Sequence, residues 1–527
     1  MPLLAHTRAR LLTAAALATT LGAMALPAAA PASDNQVSIM MDDDQLIYRG
    51  DAVRDAALKK MKELGVDAVR VTMLWSVVAD GARRTPALDK RFRKLGADDP
   101  KAYPVRNWDR YDRLARACRT LGISLYLDIT GPGPSWGHEK PPASQRQNAR
   151  TWKPKAAEFA KFVKAVGKRY SGRYIDENDN GQGIPRVAYW GLWNEPNQGG
   201  WLTPQWSGGK PASPAIYRKL YIAGRQALAQ TGHGGDVILL GETAPLGSSK
   251  KTARSPMYPK TFIRGLFCVN AQDKAQRCSD FDKYGPLQAT AFAHHPYTKK
   301  LAPTVRDRNV NSITMANIAE LPALLDDIAA KTGRVRAGLN VASTEFGYET
   351  NPPDPYSGVP LETQAQWDTI GEHLAYQQPR VIANTQFLLN DVKPLTRYKK
   401  GSKAYWFTYQ SGLYFADGRP KPSATAYAFP FLGTVTGSDA AGNHLLNAWG
   451  QLRFRPNGLT APDTVQVQWR PASDPTAWQD VDGLQTVSNA MGFFDTTVTI
   501  PGAPGAVRAV MMSAGAPVAI SLEQPVQ

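Results

Sequence analysis

Two glutamates in this chain occupy the same local setting, one in which a carboxyl group can do chemistry. Tyr189-Trp190-Gly191-Leu192-Trp193-Asn194-Glu195-Pro196-Asn197 reads as an apolar strand that ends in a Trp-Asn-Glu-Pro turn. Leu339-Asn340-Val341-Ala342-Ser343-Thr344-Glu345-Phe346-Gly347 repeats the plan. A carboxylate at the end of a buried strand sits where a pocket opens, and the amide of Asn194 beside Glu195 is placed to bond a ligand hydroxyl. A strand-end Glu can also do no more than satisfy local amides. Two of them, however, are what acid/base-plus-nucleophile chemistry on a glycosidic bond requires.

Such a pair needs elements that bring distant strand ends together. Short apolar runs alternate with longer amphipathic ones, the α/β signature of a parallel sheet or barrel. The strand candidates are Val37–Met41, Ala68–Leu74, Ser124–Ile129, Val187–Trp193, Val237–Leu240, Ala289–Ala293, Asn340–Thr344 and Ile382–Leu388. Eight strands close a (β/α)8 TIM barrel, whose strand C-termini converge on one face. Phe159, Phe162, Val163, Val166 and Tyr170 recur at helical spacing, as a helix packed on the outside of the sheet requires. Similar patterns run over 54–64, 216–229 and 318–330. Near Gly433 the texture changes to alternating strands such as Gln451–Phe454 and Thr464–Trp469, broken by Pro, Gly and Asp turns. That pattern predicts a small antiparallel β-sandwich. The expected organisation is a leader over 1–33, a barrel over 34–435 and a sandwich over 436–527.

The paired strand-end glutamates resemble those of the clan A glycoside hydrolases, over roughly Val37 to Phe431. In that clan the acid/base Glu follows strand four and the nucleophile Glu follows strand seven, which implies Glu195 and Glu345 here. The resemblance also implies that Arg70, on the second strand, braces the nucleophile. In Ala293-His294-His295-Pro296-Tyr297, the His295-x-Tyr297 spacing is similar to the clan's His-x-Tyr near the two carboxylates, with His294 as the alternative. Many members end strand eight with a Trp under the sugar, whereas Asn384–Asp391 contains none. Trp406 in the following loop is the candidate stacking face. Trp75, Trp136, Trp201 and Trp206 fall in predicted loops, where their rings suit the flat C–H faces of sugars. Asp128 on strand three is a candidate to bond a hydroxyl or to cap a loop.

The activity implied is retaining hydrolysis of a polysaccharide or oligosaccharide, with the carboxyls about 5–5.5 Å apart. A transglycosylase would use the same pair, and a non-catalytic carbohydrate-binding barrel is the alternative of another class. Within the hydrolases, β-xylosidase-like, arabinofuranosidase-like and cellulase-like members share these features, and endo or exo action is open.

Composition bounds the rest. The chain has 527 residues and three cysteines. Arg8 and Arg10 precede an apolar run from Leu11 to Leu26 and then Ala28-Ala29-Ala30-Pro31-Ala32-Ser33. This is a signal-peptide pattern, so the mature protein is expected to be secreted and free of the membrane. Cys268 and Cys278 lie in one polar loop and suit a disulfide after export, with Cys118 left as a buried thiol. No Cys/His cluster has metal-ligand spacing and no Gly-rich phosphate loop follows a strand, so neither metal nor other cofactor is expected. The net charge is +17, and Thr436 to Gln527 carries four Arg against seven Asp and Glu, so the whole excess lies before it. A solvated surface is the plain reading. The cations between Pro245 and Gln288, after strand five, also leave room for an acidic carbohydrate substrate, while nucleic acid is not an expected partner of an exported chain.

Overall fold

The computed structural model describes residues 32–80, 86–178, 181–453, 463–487, 489–513 and 515–527. Residues 1–31 of the leader expected over 1–33, and Phe454 of one expected sandwich strand, lie outside these residues.

Eight parallel strands form a closed barrel: β1 (Val37–Met41), β2 (Ala68–Leu74), β3 (Ser124–Thr130), β4 (Tyr189–Leu192), β5 (Val237–Thr243), β6 (Ala291–His294), β7 (Asn340–Ser343) and β8 (Val381–Phe387). Each pairs with the next in sequence, and β8 closes on β1 from Val37 opposite Ala383 to Met41 opposite Phe387. Both faces of a parallel sheet are covered, which is why these strands read as near-continuous apolar runs. All eight expected strands are present. The main difference is β5, which runs past Leu240 to Thr243 through an irregularity in its pairing with β6.

The predicted helical patterns fall on helices around the barrel. Around it lie α1 (Asp51–Glu63), α2 (Val105–Leu121), α3 (Ala156–Arg169), α4 (Ser213–Leu228), α5 (Glu320–Thr332) and α6 (Leu361–Tyr376), of which α1, α3, α4 and α5 carry those patterns. On α3 the stripe of Phe159, Phe162, Val163 and Val166 is fully buried. Inside the barrel, Ile39, Ala68, Leu239, Ala291, Ala293, Ala342 and Ala383 form a separate cluster of mostly small side chains. Small residues there leave room for large polar groups above them. Cys118 is buried on α2, and Cys268 is bonded to Cys278 with their Cα atoms 6.2 Å apart.

The C-terminal part is two antiparallel sheets. One contains β9 (Phe431–Ser438), β10 (His444–Gln451) and β13 (Phe493–Ile500); the other contains β11 (Asp463–Pro471), β12 (Gln479–Val487), β14 (Gly505–Ser513), β15 (Ala516–Ile520) and β16 (Gln524–Val526). Leu446, Val465, Val467, Val498, Val507 and Met511 make the core between them. β9 starts at Phe431, so the boundary expected after Val435 falls within this strand. The sheets rest on α6 through Tyr376, Trp449 and Phe493. Trp449 is fully buried and Trp469 nearly so, which assigns both to packing.

Candidate active site

The turn that carries Glu195 is stapled to its neighbours by backbone groups. After β4 the chain reverses with φ of 81° at Trp193 and 38° at Glu195, left-handed values that non-glycine residues rarely adopt. The Asn194 N–H donates to Thr130 Oγ1 at 2.8 Å, and the Glu195 N–H donates to the Glu242 carbonyl at 2.9 Å. Asn197 completes the staple by accepting from the Ala244 N–H and donating to the carbonyls of Ala244 and Met257. Strain held this firmly is a mark of functional positions. Glu345 is fixed on the opposite side, where the Thr344 N–H donates to the His294 carbonyl at 2.9 Å and the Phe387 N–H to the Phe346 carbonyl at 2.8 Å.

Between the two glutamates stands a buried layer of charge. Arg70 donates to Glu345 Oε1 at 2.8 Å, Asn194 Oδ1 at 2.8 Å, Glu242 Oε2 at 2.9 Å and Asp128 Oδ2 at 3.2 Å. Tyr297 donates its hydroxyl to Glu345 Oε2 at 3.1 Å. His295 places Nδ1 3.2 Å from Glu195 Oε1 and Nε2 2.9 Å from Glu242 Oε2. One donor atom from each of Glu195, His295 and Glu345 lies within 4.8 Å of the others. Glu195 retains 21 % side-chain exposure against 9 % for Glu345, so the strand-four carboxyl is the one more open to water.

The charges of the layer balance one another. Burial opposes ionisation of Glu242, but Arg70 outweighs it, helped by His295 and the Tyr126 hydroxyl, and holds this carboxyl below its usual range. Burial pushes Asp128 the other way, well above the carboxylate range, against the pull of Arg70. For His295, burial is overcome by Glu345 and by the bonds to Glu195 and Glu242, which raise it to about 10. Its ring is therefore an imidazolium at neutral pH, with both N–H groups donating. Two carboxylates and an imidazole at this spacing could hold a cation only if the ring released its proton.

Glu242 was not singled out by the sequence reading, although Val237-Ile238-Leu239-Leu240-Gly241-Glu242 has the same strand-end carboxylate. Gly241 interrupts the apolar run and hides the strand's last residues. It has φ of 119°, and a Cβ there would lie 2.7 Å from the Ala293 carbonyl oxygen and the Phe292 ring, so only glycine fits. Asp43 was also passed over. It lines the cleft after β1, accepts from the Thr72 N–H at 3.0 Å, and is raised by burial to about 6.

A cleft of about 770 Å³ opens above this layer, a size suited to a small ligand or a few sugar rings. Asn194, Glu195, Trp201, Tyr297 and Glu345 line it. Several expected sugar-binding groups lie elsewhere. Trp75 is fully buried, stacked on Phe162 with ring centres 5.8 Å apart, because a helical turn follows β2 at once and swings the ring into the α3 stripe. Trp136 packs edge-on against Trp75 at 5.6 Å and against Phe92 at 5.4 Å, away from the cleft. Trp206 is buried under Lys251. Trp406 lies against Tyr405 outside the cleft lining, and Tyr409, three residues on, reaches the cleft instead. Phe387 and Leu388 occupy the place where a strand-eight Trp was missing, with Tyr409 and Tyr297 packed edge-on to Phe387.

Other expectations divide similarly. Asp128 neither meets the cleft nor caps a loop; it is fully buried beside Arg70. His294 points away, with Nδ1 on Thr243 Oγ1 and Nε2 on the Ile313 carbonyl, and burial lowers it to about 3. The cations after β5 are not in the cleft lining, and several are engaged elsewhere: Lys260 with Glu320, Arg264 with Asp273, Arg254 with Asn148 and Lys251 on Trp206. The cations that line the cleft are Lys299 and Lys300, after β6.

No protein-family model matches the chain, and no curated protein sequence matches it. Solved structures do overlap it. A family 39 glycoside hydrolase from Bacteroides cellulosilyticus WH2 is 12% identical over 89% of this chain and 82% of that one, with a TM-score of 0.47. The GH5_18 protein from Streptomyces cattleya, in complex with GlcNAc, is 17% identical over 75% of this chain and 79% of that one, at 0.45. The GH5_18 protein from Bifidobacterium longum is 13% identical over 75% and 78%, at 0.46. All three scores are below 0.5, and the chemistry of the cleft stands on this chain's own residues.

Proposed function

We propose that the protein is an exported retaining glycoside hydrolase of clan A type that acts on a carbohydrate carrying acidic groups. The observation that carries this is the carboxyl pair. Oxygens of Glu195 and Glu345 lie within 4.8 Å of each other on the open face of the barrel. Retaining enzymes hold their carboxyls about 5–5.5 Å apart, whereas inverting ones need roughly 6.5–9.5 Å to admit a water between them.

In the first step Glu345, oriented by Arg70 and Tyr297, attacks the anomeric carbon. The bond to the leaving oxygen breaks as Glu195 delivers its proton. Arg70 and His295 supply two positive charges against Glu242 and Glu345, so the layer is neutral when Glu195 carries that proton. In the second step Glu195 takes a proton from water, the water oxygen attacks the anomeric carbon, and the ester bond to Glu345 breaks. Asn194, whose Oδ1 is held by Arg70, keeps Nδ2 for a sugar hydroxyl. Trp201, Phe387 and Tyr409 offer apolar surface to the ring.

Export rests on the N-terminal pattern alone, and N-terminal sequencing of secreted material would test it. Acidity of the substrate rests on Lys299 and Lys300. The mechanism is tested by proton NMR early in hydrolysis, before mutarotation. The first product anomer is expected to match that of the substrate, and an inverted product would end this reading.

A further inference from the structure

The loop after β8, from Val392 to Tyr409, is the most cationic aromatic stretch on the open face of the barrel. It carries Lys393, Arg397, Lys399, Lys400 and Lys403 with no Asp or Glu among them, interleaved with Tyr398, Tyr405, Trp406, Phe407 and Tyr409. We infer that this loop is an arm that binds a linear anionic polysaccharide and leads it into the catalytic cleft. The inference rests on the glycosidase reading and extends it to the kind of polymer bound.

The arm has a fixed shape. Its base is closed by the Val392 N–H on the Tyr409 carbonyl at 2.8 Å, and its stem by the Leu395 N–H on the Tyr405 carbonyl at 2.8 Å. Turns at Tyr398, Ser402 and Tyr405 bond back on the arm itself. Compact loops with their ends together are frequent carriers of function. The arm is also joined to the cleft at both ends of its length. Val392 and Tyr409 line the cleft at the base, and Tyr356, which lines it too, donates its hydroxyl to the Gly401 carbonyl at the tip, 2.9 Å away. Lys399 and Lys400 therefore flank a residue tied to the cleft wall. Lys299 and Lys300 lie in the cleft lining itself.

The five cations of the arm stand together with no acidic partner among the described residues. Among the described residues, Lys260, Arg264 and Arg254 of the loop after β5 are held by Glu320, Asp273 and Asn148. Those of the arm form no ion pair, and Arg397 has only the neighbouring Tyr398 ring at 5.0 Å. Phe407 is 79 % exposed and Tyr409 56 %. Large rings left in water beside unpaired ammonium groups match a ligand with apolar faces and regularly spaced negative charges. Sugars bearing uronic carboxylates or sulfate esters have both. A phosphate backbone has charges as well, and the test separates the two.

The experiment is affinity electrophoresis of the full-length protein in gels containing polygalacturonate, chondroitin sulfate or a neutral galactan, with single-stranded RNA as a further additive. Retardation is expected with an anionic polysaccharide and not with galactan, and it should weaken as salt rises past physiological strength, where charges more than about 8 Å apart are screened. The exposed substitutions Lys399→Gln, Lys400→Gln and Lys403→Gln together should weaken retention at least about tenfold, and Phe407→Ala alone should also weaken it. Unchanged retention in both variants would overturn the inference. So would equal retention by galactan, or stronger retention by RNA. Retention is read without turnover, so its loss bears on the arm, whereas the anomer of the product bears on the glycosidase reading.

Discussion

Arg70 donates to oxygens of four residues, Glu345, Glu242, Asp128 and Asn194, with no side-chain exposure, so each residue it touches depends on the others. Within that network Glu195 and Glu345 are expected to be replaceable without unfolding, because glutamine keeps their shape. Glu195→Gln should lower kcat about 10²–10⁴-fold, the usual worth of a positioned acid/base, and Glu345→Gln should leave only background turnover. Near-normal activity in either folded variant would remove the mechanism. His295 gives a pH signature. Its folded value of about 10 lies above the ordinary 6.5, so its charge stabilises the fold fully below about pH 6.5, and that contribution is lost as pH rises toward about 10. Urea midpoints of the parent and of His295→Gln should therefore differ most near pH 6 and converge by pH 10. A constant gap across that range would mean that His295 is not held as an imidazolium.

At the scale of elements, the tryptophans separate packing from binding. Trp75 sits between β2 and α3, stacked on Phe162, and a Cβ at Gly137 would approach its ring to 2.4 Å. Trp75→Ala should cost about 3–5 kcal/mol of stability, as removal of a buried aromatic does, with KM little changed in the fraction that remains folded. Trp201 lines the cleft and is only partly buried. Trp201→Ala should instead raise KM roughly fivefold, the loss of about 1 kcal/mol of ring contact, with an unchanged melting temperature. Thermal melts and steady-state kinetics on the same two variants distinguish these outcomes, and a raised KM with Trp75→Ala alone would reverse the assignment.

For the whole molecule the decisive contact joins the barrel to the sheets. Arg453 donates to Glu372 on α6 at 2.7 Å and stacks over the Tyr427 ring at 4.0 Å, both partners of the ion pair being buried. Tyr376, Trp449 and Phe493 pack beside α6. Breaking one side of a buried pair leaves an uncompensated charge and costs about 3–5 kcal/mol. Glu372→Ala should therefore lower stability by that amount, and calorimetry of the parent should show one transition for barrel and sheets together. Two separate transitions in the parent would show that the sheets fold independently.

The strands and the two glutamates were legible in the sequence because the signals for them are local. An apolar run with a carboxylate after its last residue needs only a dozen positions to be read, and the eight runs were placed correctly for that reason. The same local rule failed at Glu242, since Gly241 broke the run and the pairing irregularity that carries β5 onward is made with β6. Adjacent residues were not separable either. His294 and His295 differ only in the direction that the end of β6 gives them, one toward Thr243 and Ile313, the other toward Glu195 and Glu242. Nor does composition say which tryptophan faces a cleft, because a ring serves packing and sugar equally well and the backbone alone decides its direction. The charge behaved likewise: the sequence showed how many cations there are, and only the tertiary structure shows that Lys260, Arg264 and Arg254 after β5 are engaged outside the cleft while those of the arm after β8 form no ion pair among the described residues. Partnering is a matter of distance between residues far apart in the chain, and that is settled only when the barrel closes.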